Sequence, residues 1–193
     1  MTMRWQGEPD RDALDSALST MRAEPNVAIR ELERLADLGS LMSMFYLAAI
    51  YGGNEFSRRD IDKSLYWQKR AADGGLVMSK YYVGLHYLRS KQYDEALKWL
   101  IGASNVNFAP ACNALAGMHF RGIGVKKDIE QASKYWKRAI ADGHIIAKRD
   151  MAIAMIFGAF GSGGIIRGIP QYFKAVREIL ITRKVDLYSD RLR

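Results

Sequence analysis

The chain has 193 residues, 49% apolar and 26% charged, with a formal net charge of +8 at pH 7. That length and apolar content support a continuous core built without metal or disulfide help, and a single cysteine, Cys112, excludes any intramolecular disulfide. The uncharged run from Met151 to Ile166 falls short of the roughly 20 residues a spanning helix requires and is broken by glycines, which excludes it as a transmembrane segment.

The first residues, Met-Thr-Met-Arg-Trp-Gln-Gly-Glu-Pro, carry no apolar h-region, so the expectation is no secretory signal and a cytoplasmic location. Residues 1–38 read as N-terminal capping helices and a partial first repeat. From there a motif returns at fixed intervals, each copy starting at Gly39, Gly75, Asn107 or Gly143. The spacings are 36, 32 and 36 residues, so one unit carries a short deletion. Repetition at this period marks an α-solenoid, in which each helix pair is too small to bury its own apolar face and stacks on its neighbours.

Within each unit, a large apolar residue (Leu47, Val83, Leu115, Met151) is followed by a small one (Ala48, Gly84, Ala116, Ala152), and one turn later stand Tyr51, Tyr87, His119 and Met155. These lie roughly on one face of a first helix. Turn signals follow, and the second helices open at Asp60 and Asp128, where an aspartate caps the orphan amides; Gln131 completes a capping-box-like pattern. Ser64, Ala96 and Ala132 are each followed three residues on by an aromatic, Trp67, Trp99 and Tyr135, as hole and knob. Ala71-Ala72, Ala103-Ser104 and Ala139-Ile140 let the two helices approach closely. The Gly or Asn that starts the next unit then ends the second helix in a left-handed conformation.

The stretch from Ala111 to Ala139, Ala-x-x-x-Leu-Ala-Gly-Met-His-Phe-x-Gly-x-Gly-Val-x-x-Asp-x-x-x-Ala-x-x-Tyr-Trp-x-x-Ala, resembles a Sel1-like repeat. The shortened unit, with Lys91 to Leu97 joining its helices, resembles the related tetratricopeptide repeat. The resemblance covers three units, residues 39–142, with Ala28, Leu35 and Ala36 in register ahead of them and a degenerate last repeat plus a basic capping helix in 143–193. It departs from the family where the glycine is Ala48, Ala116 or Ala152 and the tyrosine is His119. It implies an all-α, right-handed solenoid of about five helix pairs and ten helices, acting as an adaptor that holds a protein or peptide in its concave groove. Some secreted members are cysteine-paired, so the solitary Cys112 points to a reducing compartment.

In such a fold the first helices line the concave wall. Fixed offsets from the four starting residues select Met42, Phe45, Met78, Tyr81, Leu85, Arg89, Asn113, Arg121, Arg149 and Ile153 as partner-binding residues. The set is apolar with arginines at intervals, which suits a partner with aliphatic or aromatic anchors and a few carboxylates. Self-association, or filling by the C-terminal segment, is the competing use of the same surface.

The tail from Arg167 to Arg193 has seven basic and three acidic residues, half of the chain's excess charge. A helix over about 170–183 is expected to close the solenoid, burying Tyr172, Phe173, Val176, Ile179 and Leu180, with the Val185-Leu187 pair continuing that stripe, and leaving Lys174, Arg177 and Lys184 as a secondary basic contact for an acidic partner or an anionic membrane. The membrane is not favoured, and nucleic acid is disfavoured because no reading motif accompanies the charge. No catalytic residues, cofactor or metal site are expected: His86, His119 and His144 are scattered, no carboxylate pair recurs, and His119 reads as a satisfied packing residue. The alternative function is a nucleotide- or small-molecule-binding protein, or an enzyme, using Gly161–Gly168 as a phosphate loop, although no strand precedes it and no Lys-Ser/Thr follows.

Overall fold

A computed structural model describes residues 8–53 and 59–185, with side chains to 182. Ten helices and no strand are found among them: α1 (Arg11–Thr20), α2 (Pro25–Asp37), α3 (Leu41–Gly52), α4 (Ile61–Asp73), α5 (Val77–Arg89), α6 (Tyr93–Ser104), α7 (Ala109–Arg121), α8 (Ile129–Ala141), α9 (Ile145–Ile156) and α10 (Ser162–Val185).

The repeat is built into the helix ends. Gly39, Gly75, Asn107 and Gly143 all have positive φ, at 95°, 101°, 59° and 82°. Each of these residues donates its own amide three residues back, and the next amide donates five residues back, as in Gly39 N to Ala36 O and Ser40 N to Leu35 O, both 3.0 Å. This pair of hydrogen bonds satisfies carbonyls left over at the helix end and turns the chain into the next first helix. Gly158 ends α9 in the same way. The second helices α4 and α8 start on aspartate caps, Asp60 accepting from Lys63 N and Asp128 from Gln131 N, each at 2.9 Å, whereas α6 follows Gln92 with no side-chain cap. The capping box is incomplete, however. The amide of Asp128 donates to His119 O and that of Asp60 to Tyr51 O, so the connecting loop is tied to the end of its own first helix rather than to Gln131.

The short repeat replaces that loop with Lys91, which takes φ 59°. In the long repeat, Gly124 at φ 67° lies so close to Tyr93 that a Cβ there would clash with the carbon that bears the ring.

The chain divides into two compact units, Met1–His86 and Tyr87–Arg193. In the first, Leu32, Leu35, Leu47 and Ala71 are fully enclosed and Tyr51 and Trp67 nearly so. In the second, Cys112, Ala116, Ala132, Trp136, Ala139 and Ala147 form the centre. The repeat position filled by Tyr135 is only half-buried; the ring that enters the core there is its neighbour Trp136. His119 stacks on Tyr135 at 5.6 Å and 20°, but its Nδ1 is buried with no hydrogen-bond partner among the described residues, so the expected satisfied histidine is satisfied only by packing.

The C-terminal region differs from expectation in two ways. The helix begins at Ser162, well ahead of residue 170, so Gly163, Gly164 and Gly168 are helical and no phosphate loop spans Gly161–Gly168. The glycines serve contact with α9. A Cβ on Gly168 would lie 2.8 Å from Met155 Cβ and 3.0 Å from both Ala152 O and Ile156 N. Pro170 sits inside the helix, which removes a donor to the carbonyl of Ile166; both residues are exposed, so water can serve that carbonyl. Secondly, the buried face of α10 is Gly164, Gly168 and Ala175, flanked by half-buried Tyr172, Val176 and Ile179, whereas Phe173 and Leu180 point outward at 66% and 56% exposure. Of the Val185-Leu187 pair, the Val185 side chain and Leu187 lie outside the described residues.

Candidate partner-binding surface

In the first unit the sequence-selected residues separate into two kinds. Met42 is buried and belongs to the core that also holds Leu32, Leu35 and Leu47. It therefore offers no contact to a partner. Phe45, Met78, Tyr81 and Leu85 are half-buried. Phe45 and Tyr81 are joined through a residue the offsets missed, Tyr82, whose ring centroid lies 5.9 Å from Phe45 and 5.4 Å from Tyr81. Tyr46 meets Phe45 edge-on at 6.2 Å. This aromatic group combines large contact area with few rotatable bonds, the property that favours recognition surfaces. Tyr82 could have been found by counting aromatics on α5 instead of following one fixed offset.

In the second unit Arg89 and Arg121 are exposed, and Asn113, Arg149 and Ile153 are half-buried. The guanidinium of Arg121 lies over Gly117, one turn back, where a Cβ would come within 3.0 Å of Nη2. Asn113 and Arg149 are brought together by Asp150 in a polar chain across three helices. Trp136 Nε1 on α8 donates to Asn113 Oδ1 on α7 at 3.1 Å, and Asn113 Nδ2 donates to Asp150 Oδ2 on α9 at 3.1 Å. Arg149 Nε and Nη2 then both donate to Asp150 Oδ1, at 2.9 and 2.6 Å. Every polar atom of the Asn113 amide group is thus oriented, and Arg149 is already paired. An incoming carboxylate must share or displace Asp150 there, whereas Arg89 and Arg121 have no competing carboxylate within ion-pair distance among the described residues.

The opening of α9 adjoins this chain. His144 is buried and caps the helix with Nδ1 accepting from Ala147 N at 3.1 Å, so the neutral ring is the form that fits. Burial holds its pKa below 6.5; the nearby Asp150 carboxylate opposes the shift and Arg149 adds to it. Burial likewise raises the Cys112 thiol, leaving it un-ionised and unreactive. Among the described residues no group of three His, Cys, Asp or Glu side chains is placed to hold a metal, and no helix is long and apolar enough to cross a membrane. On α10, Lys174 and Arg177 are exposed; the side chain of Lys184 lies outside the described residues. Lys148 on α9 pairs with Glu178 on α10 at 2.8 Å.

The periodic left-handed helix ends, small-residue helix contacts and aspartate caps match a known repeat: residues 41–76, 77–105 and 109–144 each fit the Sel1 repeat. The chain belongs to the Sel1-repeat family. Two solved structures share its fold. One is the Sel1 repeat protein from Oxalobacter formigenes, with TM-score 0.76 and 22% identity over 86% of this chain and 51% of that one. The other is c5321, a protective antigen of uropathogenic Escherichia coli strains displaying an SLR fold, with TM-score 0.70 and 17% identity over 86% and 41%. A curated relative, the ERAD-associated E3 ubiquitin-protein ligase component HRD3B of Arabidopsis thaliana, is 30% identical over 127 residues, which are 65% of this chain and 20% of that protein. The chain therefore spans a fifth of that relative and about half of the solved structures. Sel1-repeat proteins are generally scaffolds that bind other proteins, and the fold is generally non-catalytic.

Proposed function

We propose that this Sel1-repeat protein is a non-catalytic adaptor that binds a protein segment through its first-helix faces. In the first unit the aromatic group of Phe45, Tyr81 and Tyr82, with Met78 and Leu85, receives apolar anchors; in the second unit the exposed guanidinium groups of Arg89 and Arg121 receive carboxylates, with Asn113, Arg149 and Ile153 as further contacts of that unit. The observation that carries this reading is the Phe45–Tyr82–Tyr81 cluster, which leaves three aromatics on two first helices only partly covered. HRD3B is named as a component of a ligase assembly, which agrees with a scaffold role for chains of this family.

The test is selection of peptides from a random display library. Wild type should enrich sequences that combine aromatic or aliphatic residues with Asp or Glu. Those peptides should lose at least about tenfold in affinity for a Tyr81→Ala/Arg89→Glu variant that melts like wild type. Equal affinity for both would remove the site from these helices.

A further inference from the structure

One surface stands apart from the first-helix faces. Of the six large apolar residues exposed on the described part of α10, four, Ile166, Ile169, Phe173 and Leu180, recur at spacings of three, four and seven and so form one stripe, with Ile165 and Ile181 to either side of it. Those four are 74%, 46%, 66% and 56% exposed. The stripe continues onto the α9–α10 turn, where Ile165 Cδ1 lies 4.0 Å from the position of a Cβ on Gly158 and the preceding residue, Phe157, is 80% exposed. Charge follows the same edge. Arg167, Lys174 and Arg177 are all exposed, Arg177 within the stripe and the other two beside it. The single acidic residue of α10, Glu178, is taken by Lys148, so no carboxylate on this helix offsets those three cations.

We infer that this ridge is a docking surface for an anionic lipid bilayer, with Phe157, Ile166, Ile169, Phe173 and Leu180 entering the interface and Arg167, Lys174 and Arg177 meeting lipid phosphates. A helix with an apolar outer stripe and cations at its margins lies in the plane of a membrane, and long basic side chains extend from buried stems to the headgroups. The charge pattern separates this from the alternatives. A second copy of α10 would bring unneutralised cations against cations. A short protein segment would need a groove on this chain, whereas this is a helix ridge with an aromatic at its tip. A bilayer supplies apolar depth and negative charge without shape complementarity. The helix is not apolar enough to span, so the contact is peripheral. This inference does not depend on the adaptor reading.

Flotation with vesicles of phosphatidylcholine, alone or with about one-third phosphatidylglycerol, tests it. Wild type should float with the anionic vesicles at low salt, fall away as salt rises, and ignore phosphatidylcholine alone. At about 1 kcal/mol for each basic residue near an anionic surface, Lys174→Gln/Arg177→Gln should weaken binding about thirtyfold. Phe157→Ser/Phe173→Ser should weaken it at least about tenfold. Both variants alter exposed side chains and should melt like wild type. Failure of wild type to bind anionic vesicles would overturn the inference, as would binding that neither variant reduces. Sedimentation showing a concentration-dependent dimer that Phe173→Ser dissociates would assign the stripe to a second copy instead.

Discussion

The orientation of α10 rests on how closely its glycines let it approach α9, and two glycines in the second unit isolate that effect. Gly102 lies within α6 and a Cβ there meets nothing within 4 Å, whereas a Cβ on Gly168 meets Met155 Cβ at 2.8 Å and backbone atoms of Ala152 and Ile156 at 3.0 Å. Replacing either by alanine removes the same conformational freedom from the unfolded chain and adds the same helix propensity, about 1 kcal/mol. For Gly102→Ala nothing opposes that gain, so stabilisation of about 0.5–1 kcal/mol is expected. For Gly168→Ala the helices must separate, because backbone atoms cannot rotate aside as a flexible side chain would. Overpacking of this kind costs about 1–3 kcal/mol, which leaves the variant neutral to about 2 kcal/mol less stable after the propensity gain. The two alanines should thus differ by about 1–3 kcal/mol in denaturant unfolding, with opposite signs at the upper end, although each adds one methyl group to a helix. Equal stabilisation by both would show that α9 and α10 are not in close contact at Gly168, and the outward placement of Phe173 and Leu180 would lose its support.

Three further outcomes follow from single contacts. His144 is held neutral in the folded protein with its pKa below the unfolded 6.5, so the unfolded chain binds more protons as pH drops; stability should therefore fall as pH is lowered from about 6.5 through the folded value, and His144→Ser, which keeps a capping oxygen but cannot titrate, should remove that part of the slope in urea titrations at pH 7.5 and 5. An unchanged slope would refute it. Asp60→Ala and Asp128→Ala should each cost about 1 kcal/mol by thermal or urea unfolding, whereas Asp→Asn at either position should cost little, since the amide oxygen also accepts from the N3 amide. Asn113→Leu leaves the Trp136 indole N–H and one Asp150 oxygen without their partner and should cost about 1–3 kcal/mol; the same loss in a Trp136→Phe background would show that the indole bond contributes nothing to it.

How far the sequence could be read depends on which interactions have a local signature. The repeat boundaries were legible because a left-handed helix terminus excludes most side chains, leaving Gly39, Gly75, Asn107 and Gly143 at near-constant spacing. The aspartate caps were legible for a similar reason, since the side chain and the amide it accepts from are three residues apart. The polar chain was not. Trp136 and Asn113 are 23 residues apart and Asn113 and Asp150 are 37 apart, so only the stacking of α7, α8 and α9 brings them together. A fixed offset assumes equivalent neighbours in every unit, yet Met42 is buried in the core and Met78, at the same offset in the next unit, is half-buried.

On α10 the hydrophobic period points to a face other than the one that packs. Hydrophobic periodicity weights large side chains, and on this helix Phe173 and Leu180 are the large ones. The face that packs is Gly164, Gly168 and Ala175, residues that add almost no hydrophobic signal and are buried because they are small enough for backbones to approach. A helix whose small residues face inward and whose large apolar residues face outward cannot owe its outward residues to its own core. Packing on α9 therefore does not account for Phe173 and Leu180, and the uncompensated charges of Arg167, Lys174 and Arg177 along the same edge agree with the anionic surface inferred above.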